Sequence, residues 1–218
     1  MTEQHVPLTD FIEYPPEQML ARARQHLADL RRRHSIRKFA DRPVEREVIE
    51  QCILAAGSAP SGANHQPWHF VAIQSPEVKQ QIRIEAEALE QGFYAGRAGE
   101  EWLDALKPLG TNANKAYLET APWLIAVFSK KRGGIDEQDD KTNYYVHESV
   151  GLATGFLLQA LHHAGLADVG GHAPVGVAHQ LLRLRTHQEL HAAVFQRLLQ
   201  HLARHVVQLA LHQPGRHV

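Results

Sequence analysis

The run Ala59-Pro60-Ser61-Gly62-Ala63-Asn64-His65-Gln66-Pro67-Trp68 constrains this chain more than any other segment. Its Pro, Ser, Gly and Asn residues predict a turn, and the patterns on either side differ in period. Upstream, from about Pro43 to Ala56, Val44, Val48, Ile49, Cys52, Ile53 and Ala56 fall on one helical face. Pro43 and Glu45 suit the first turn of that helix, and Gly57 suits its exit. Downstream, His69-Phe70-Val71-Ala72-Ile73 reads as a buried strand. The chain is read as passing from helix to strand through a small-residue turn, and this mixture argues for layered α and β structure.

The remaining elements follow from the same patterns. Residues 1–16 carry Pro7, Pro15 and Pro16 and read as an extended arm that could wrap a partner surface. Residues 17–31 predict a helix through Met19, Leu20, Ala23, Leu27 and Leu30. A charged helix over 76–91 runs into a segment punctuated by Gly92, Gly96 and Gly99. Pro122-Trp123-Leu124-Ile125-Ala126-Val127-Phe128 predicts a second buried strand, and 129–143 a polar loop with acids at Asp136, Glu137, Asp139 and Asp140. From about Tyr145 to His163 the chain is apolar almost all round. Such a helix needs cover on most sides, from a core or from a subunit interface.

Length and composition set the outer limits. At 218 residues one well-packed domain is expected. A formal net charge of −1 gives no global attraction to nucleic acid or to an acidic membrane. With Cys52 the only cysteine, no intramolecular disulfide and no cysteine-based zinc cluster is available, and a buried inert thiol is expected. No signal-peptide core and no membrane-length apolar run is visible, so a reducing, cytoplasmic setting is the default expectation.

Arg33, Ser35 and Arg37 alternate, so in an extended conformation all three side chains share one side. Guanidinium and hydroxyl together make a phosphate site through charge-assisted hydrogen bonds. A second cation would suit the electron-rich edge of a flavin, where reduction places negative charge. Alone, the run reads sooner as a basic surface patch, because Arg31 and Arg32 continue it. The Ser61-Gly62-Ala63 turn lets the backbone approach a flat ring closely, with main-chain N–H groups in reach of ring heteroatoms.

Arg33-His34-Ser35-Ile36-Arg37, then Pro43-Val44 with Val48-Ile49, then the Ala59–Trp68 turn, occur in an order that resembles the nitroreductase superfamily. The iodotyrosine deiodinase branch is the closer resemblance, over roughly residues 11–166. Its sharpest element is Glu90, Tyr94 and Lys115, at the positions by which that branch grips a halotyrosine. The chemistry is coherent: Glu90 offers an anion for an ammonium, and the Tyr94 hydroxyl and Lys115 ammonium offer donors for a carboxylate. The resemblance implies an α+β, nitroreductase-like FMN-binding fold with a central mixed sheet flanked by helices. It assigns Arg33, His34, Ser35, Ile36, Arg37, Ser61 and Gly62 to FMN, and Ala63, Glu90, Tyr94 and Lys115 to substrate. The Ala63 backbone N–H would face a bound phenolate. No side chain is assigned as a catalytic acid or base, since the flavin carries the chemistry. The implied protein is a homodimer that dehalogenates halotyrosines with electrons from NAD(P)H or a reductase. A general nitro- or quinone reductase and an inactive flavin-fold remnant are the alternatives.

The text changes after Leu166. Residues 167–218 hold eight His, six Gln and five Arg, with only Asp168 and Glu189 as acids. The charge balance moves from −4 in residues 1–166 to +3 beyond. The branch continues here with a Thr-rich strand, further strands and a phosphate-binding Arg, none of which is present. A lost charge-assisted phosphate contact costs roughly 1.5–3 kcal/mol, or about 10–100-fold in affinity. A helical or disordered tail is expected, through a shifted reading frame or as a lineage-specific extension. His187/His191 and His201/His205 have a chelating spacing, but the density of His makes a solvated face the better reading, and no metal site is assigned.

Overall fold

The computed structural model describes residues 8–133 and 141–169, the segments discussed below. The acidic loop cluster, the tail beyond Val169, its reading-frame question and its His pairs lie outside the described residues.

Six helices and two strands alternate along the described chain. They are α1 (Pro16–Leu30), α2 (Arg46–Gly57), β1 (Trp68–Ile73), α3 (Pro76–Gly92), α4 (Glu100–Leu106), one-turn α5 (Tyr117–Thr120), β2 (Leu124–Ser129) and α6 (Val146–His163). β1 and β2 pair antiparallel, from Trp68 opposite Ser129 to Ile73 opposite Leu124. Alternate strand residues face opposite sides, and the packing follows. Trp68, Phe70, Ala72, Ile125 and Val127 pack with Ile49, Cys52, Ile53 and Ala56 of α2 and Ala153 and Leu157 of α6. On the other face Val71, Ile73, Leu124, Ala126 and Phe128 pack with Val78 and Ile82 of α3. The result is a helix–sheet–helix sandwich, the layered α and β arrangement the sequence predicts.

Three expectations need correction. The α2 helix begins at Arg46, not Pro43, because the segment before it is held extended: the Trp123 indole N–H donates to the Val44 carbonyl at 2.8 Å. β2 begins after that same Trp123, and every residue in it is only half-buried, not buried as the sequence suggests. Among the described residues β1 is its sole strand partner, so β2 has an edge with no strand beside it. Finally, only Ser149, Ala153 and Leu157 of α6 are buried, while Leu152 and Phe156 are exposed. The core covers one side of this helix, and the other side is open in the single chain.

The loop after β2 is pinned at its base. Arg132 bridges Thr142, and the Asn143 N–H donates to the Lys131 carbonyl at 3.0 Å. This places Asn143, Tyr144 and Tyr145 beside the Ala59–Trp68 turn.

Candidate functional site

The turn after α2 is tighter than its sequence alone conveys. Ala63, Asn64 and Gln66 all have positive φ (49°, 52° and 48°), a region that costs a side-chain-bearing residue roughly 1 kcal/mol or more each. Surrounding contacts hold them there. The Ser61 hydroxyl accepts from the Gln66 N–H at 3.0 Å, and the Gly62 N–H donates to Ser149 Oγ on α6 at 3.2 Å. His65 Nδ1 lies 3.1 Å from Asn143 Oδ1, whose amide nitrogen in turn donates to the Lys130 carbonyl at 2.8 Å. A Cβ on Gly62 would meet the Tyr144 carbonyl oxygen at 2.7 Å and the Tyr145 ring at 2.9 Å, so only glycine fits. The Gly62 N–H is thus spoken for within the chain. The neighbouring Ala63 is exposed, and its N–H takes no part in the turn's hydrogen bonds, which come from Asn64, His65 and Gln66.

Residues 33–37 lie outside any helix or named strand, with a single bridge at Ser35. Ser35 forms a parallel bridge with Asp168, and the Ile36 N–H donates to the Asp168 carbonyl at 2.8 Å. The Arg33 guanidinium reaches the Asp168 carboxylate at 3.3 Å. Asp168 is buried, whereas His34 and Ser35 are exposed and Arg33, Ile36 and Arg37 half-buried. Of the donors predicted for a phosphate, Arg33 does hold an anion, and that anion is the chain's own carboxylate.

The third group forms where α3 ends. Gly92 closes the helix, and a wider helical turn over Phe93–Arg97 follows, with Gly96 at φ 148°. Glu90 meets the Lys115 ammonium at 3.2 Å, with only 8% of the lysine side chain exposed. That ammonium also donates to the Asn112 carbonyl at 2.8 Å. Tyr94 points its hydroxyl at Thr111 Oγ1, 3.2 Å away, and its ring meets Phe93 edge to face. The fold thus joins Glu90 to Lys115 directly and ties Tyr94 to the start of the Thr111–Lys115 loop.

Tyr117 lies between these groups, and sequence reasoning passed over it. Its ring packs with Phe39, Ala86 and Leu118, and its buried hydroxyl has no hydrogen-bond partner. Burial pushes this phenol's pKa upward; the Arg37 charge opposes that shift and the Glu90 charge adds to it. The two sequence motifs are therefore electrically close, with a buried hydroxyl between them. Ser149, Asn143 and Asp168 were likewise missed. They are brought to the motifs from far along the chain, so no local pattern marks them.

The nitroreductase family model matches residues 30–175. An iodotyrosine deiodinase of Haliscomenobacter hydrossis is 44% identical over 154 residues, covering 71% of this chain and 69% of that protein. One from Nematostella vectensis is 40% identical over 166 residues, covering 76% of this chain and 63% of its own. The chain thus spans about two thirds of the length of these relatives. A crystal structure of oxidized iodotyrosine deiodinase bound to FMN and 3-iodo-L-tyrosine superposes with a TM-score of 0.60 at 31% identity, covering 71% of this chain and 80% of that one.

Proposed function

The chain belongs to the nitroreductase family, in its iodotyrosine deiodinase branch, and on that premise we propose an FMN-dependent oxidoreductase that reductively dehalogenates halotyrosines. The observation that carries this reading is the Glu90–Lys115 pair, its lysine buried and its glutamate half-buried, with Tyr94 one helical turn after Glu90. A partly buried salt bridge is a poor source of net stability, since desolvation offsets much of its attraction. It is, however, a good store of matched charges. An amino-acid zwitterion can replace it: Glu90 turns to the ammonium, while Lys115 and the Tyr94 hydroxyl turn to the carboxylate. No charge is left uncompensated in that exchange.

FMN would have to take Arg33 from the Asp168 carboxylate and draw on the groups around it. Arg33 and Ser35 would hold its phosphate, Arg37 the electron-rich edge of its ring, with His34 and Ile36 between them and Ser61 and Gly62 backing the ring. When bound and reduced, FMN would supply two electrons which, with a proton from solvent, convert carbon–halogen to carbon–hydrogen and release halide. NAD(P)H, directly or through a reductase, would be their source. The unused Ala63 N–H would steady a phenolate oxygen.

The working unit is a homodimer in the cytoplasm, with residues 1–166 as the flavin domain. Exposed Leu8, Phe11 and Ile12 in the arm, Met19 and Leu20 on α1, and Leu152 and Phe156 on α6 support a second copy as their cover. Among the described residues no helix is long and apolar enough to cross a membrane. A second reading, a flavin-fold remnant with weakened cofactor binding, is favoured by one observation: Asp168 already occupies Arg33.

Titrating the purified protein with FMN, then the complex with 3-iodo-L-tyrosine and with a nitroaromatic, separates the readings. A yellow protein whose flavin signal responds to iodotyrosine only while Glu90, Tyr94 and Lys115 are intact supports dehalogenation. A nitroaromatic response independent of that trio shows a general reductase. Colourless protein that takes up no FMN shows a remnant.

A further inference from the structure

α3 grips Lys115 at two points. Glu90 meets its side chain at 3.2 Å, and Glu87, one helical turn earlier on the same face, accepts its backbone N–H at 2.7 Å through Oε1. The other Glu87 oxygen, Oε2, accepts from Arg83 at 2.8 Å, and Arg83 also binds Glu119 on α5. Glu87 therefore has both carboxylate oxygens committed, one to each side of the α3–α5 seam.

We propose that Glu87 is a positioning residue for substrate, acting through Lys115: by clamping the lysine's main chain it fixes where the ammonium stands relative to Glu90. This rests on the halotyrosine reading above. Lys115 follows the Thr111–Asn114 loop, so without an anchor its ammonium would swing with that loop. Glu87 itself is turned to Arg83 and the Lys115 backbone, so it acts on substrate only at second hand. The role needs two acceptors on one group. Gln has only one, so an amide that satisfies Lys115 N–H turns its NH2 toward the Arg83 guanidinium, donor against donor.

The test is binding of 3-iodo-L-tyrosine and of 2-iodophenol to FMN-loaded protein, followed by flavin fluorescence, in wild type, Glu87→Gln, Lys115→Met and the double variant. The phenol lacks both charged groups of the zwitterion. Glu87→Gln is expected to weaken iodotyrosine about tenfold, the value of one charge-assisted hydrogen bond. It should leave iodophenol within about twofold. In the Lys115→Met background Glu87→Gln should add almost nothing, because its effect passes through the lysine. Equal loss for both ligands, no loss for either, or full additivity with Lys115→Met overturns the proposal. If Glu87→Gln does not load FMN, Glu87→Asp carries the same comparison, since its shorter arm cannot span Arg83 and Lys115 together. Wild type that binds FMN but not iodotyrosine refutes the substrate reading itself and this inference with it. Wild-type binding without the Glu87 effect refutes the inference alone.

Discussion

Arg33 and Asp168, 135 residues apart, form a half-buried ion pair at 3.3 Å in the place where the sequence puts a phosphate. Asp168 also pairs its main chain with Ser35 and Ile36, so the carboxylate is held there by backbone as well as by charge. A bound phosphate would have to displace this carboxylate or lie beside it. Asp168→Asn removes the competing charge while keeping the shape. FMN is expected to bind about tenfold tighter to the variant, ~1.4 kcal/mol. The FMN-free protein should lose roughly 1–2 kcal/mol of folding stability, a moderate figure because Arg33 is partly exposed. Fluorescence titration and urea unfolding check the two halves. Unchanged or weaker FMN binding would show that Arg33 is no phosphate ligand in this chain.

Local chemistry made most of this architecture legible. The helical face from Ile49 to Ala56 shares one core with β1, and the strand alternation places Phe70 and Val71 on opposite layers. Glu90 and Lys115, which the resemblance names together as substrate ligands, form an ion pair with each other. What stayed hidden depends on partners far along the chain. The start of α2 is set by Trp123, the Gly62 N–H by Ser149, and Arg33 by Asp168. Single-residue hydrogen bonds of this kind leave no periodic trace. The exposed side of α6 was undecidable for another reason: an all-round apolar helix is equally suited to a core and to a second subunit.

Gly62 has no room for a methyl group. With the added carbon 2.7 Å from a backbone oxygen, relief requires moving either the turn or the Tyr144–Tyr145 segment that starts α6. Gly62→Ala should cost about 1–3 kcal/mol, the usual range for overpacking. It should also abolish FMN retention if the turn backs the ring. A variant with wild-type melting and normal flavin content would place the turn elsewhere in solution.

Lys79 is a second buried cation, and its role is structural. Its ammonium donates to the carbonyls of Glu119 at 3.0 Å and Ala121 at 2.8 Å, closing the end of α5. Burial holds its pKa below the usual lysine range. Lys79→Met keeps the apolar stem but orphans both carbonyls, so a loss of about 2–4 kcal/mol is expected. Because α5 follows directly from Lys115, the affinity for halotyrosine should fall as well. Chemical denaturation combined with ligand titration reads both effects. Full stability would mean that water replaces the ammonium at little cost.

Tyr117 offers a pH test of the same region. Its hydroxyl is buried and has no hydrogen-bond partner, and burial raises its pKa above the ordinary value of roughly 10. The sign follows from linkage. The folded state favours the protonated phenol, so this contribution is fully present below the unfolded pKa and is lost as pH rises through the folded one. Near neutral pH, Tyr117→Phe removes an unsatisfied donor and should leave stability unchanged or raise it by about 1 kcal/mol. Above roughly pH 10 wild type should lose stability relative to the variant, a difference that cancels every other titrating group. Parallel urea curves for the two proteins from neutral to alkaline pH measure it. If Tyr117→Phe is destabilised by 1 kcal/mol or more at pH 7, the hydroxyl has a partner in the free protein. Its place between Arg37 and Glu90 would then be a structural link rather than an open donor.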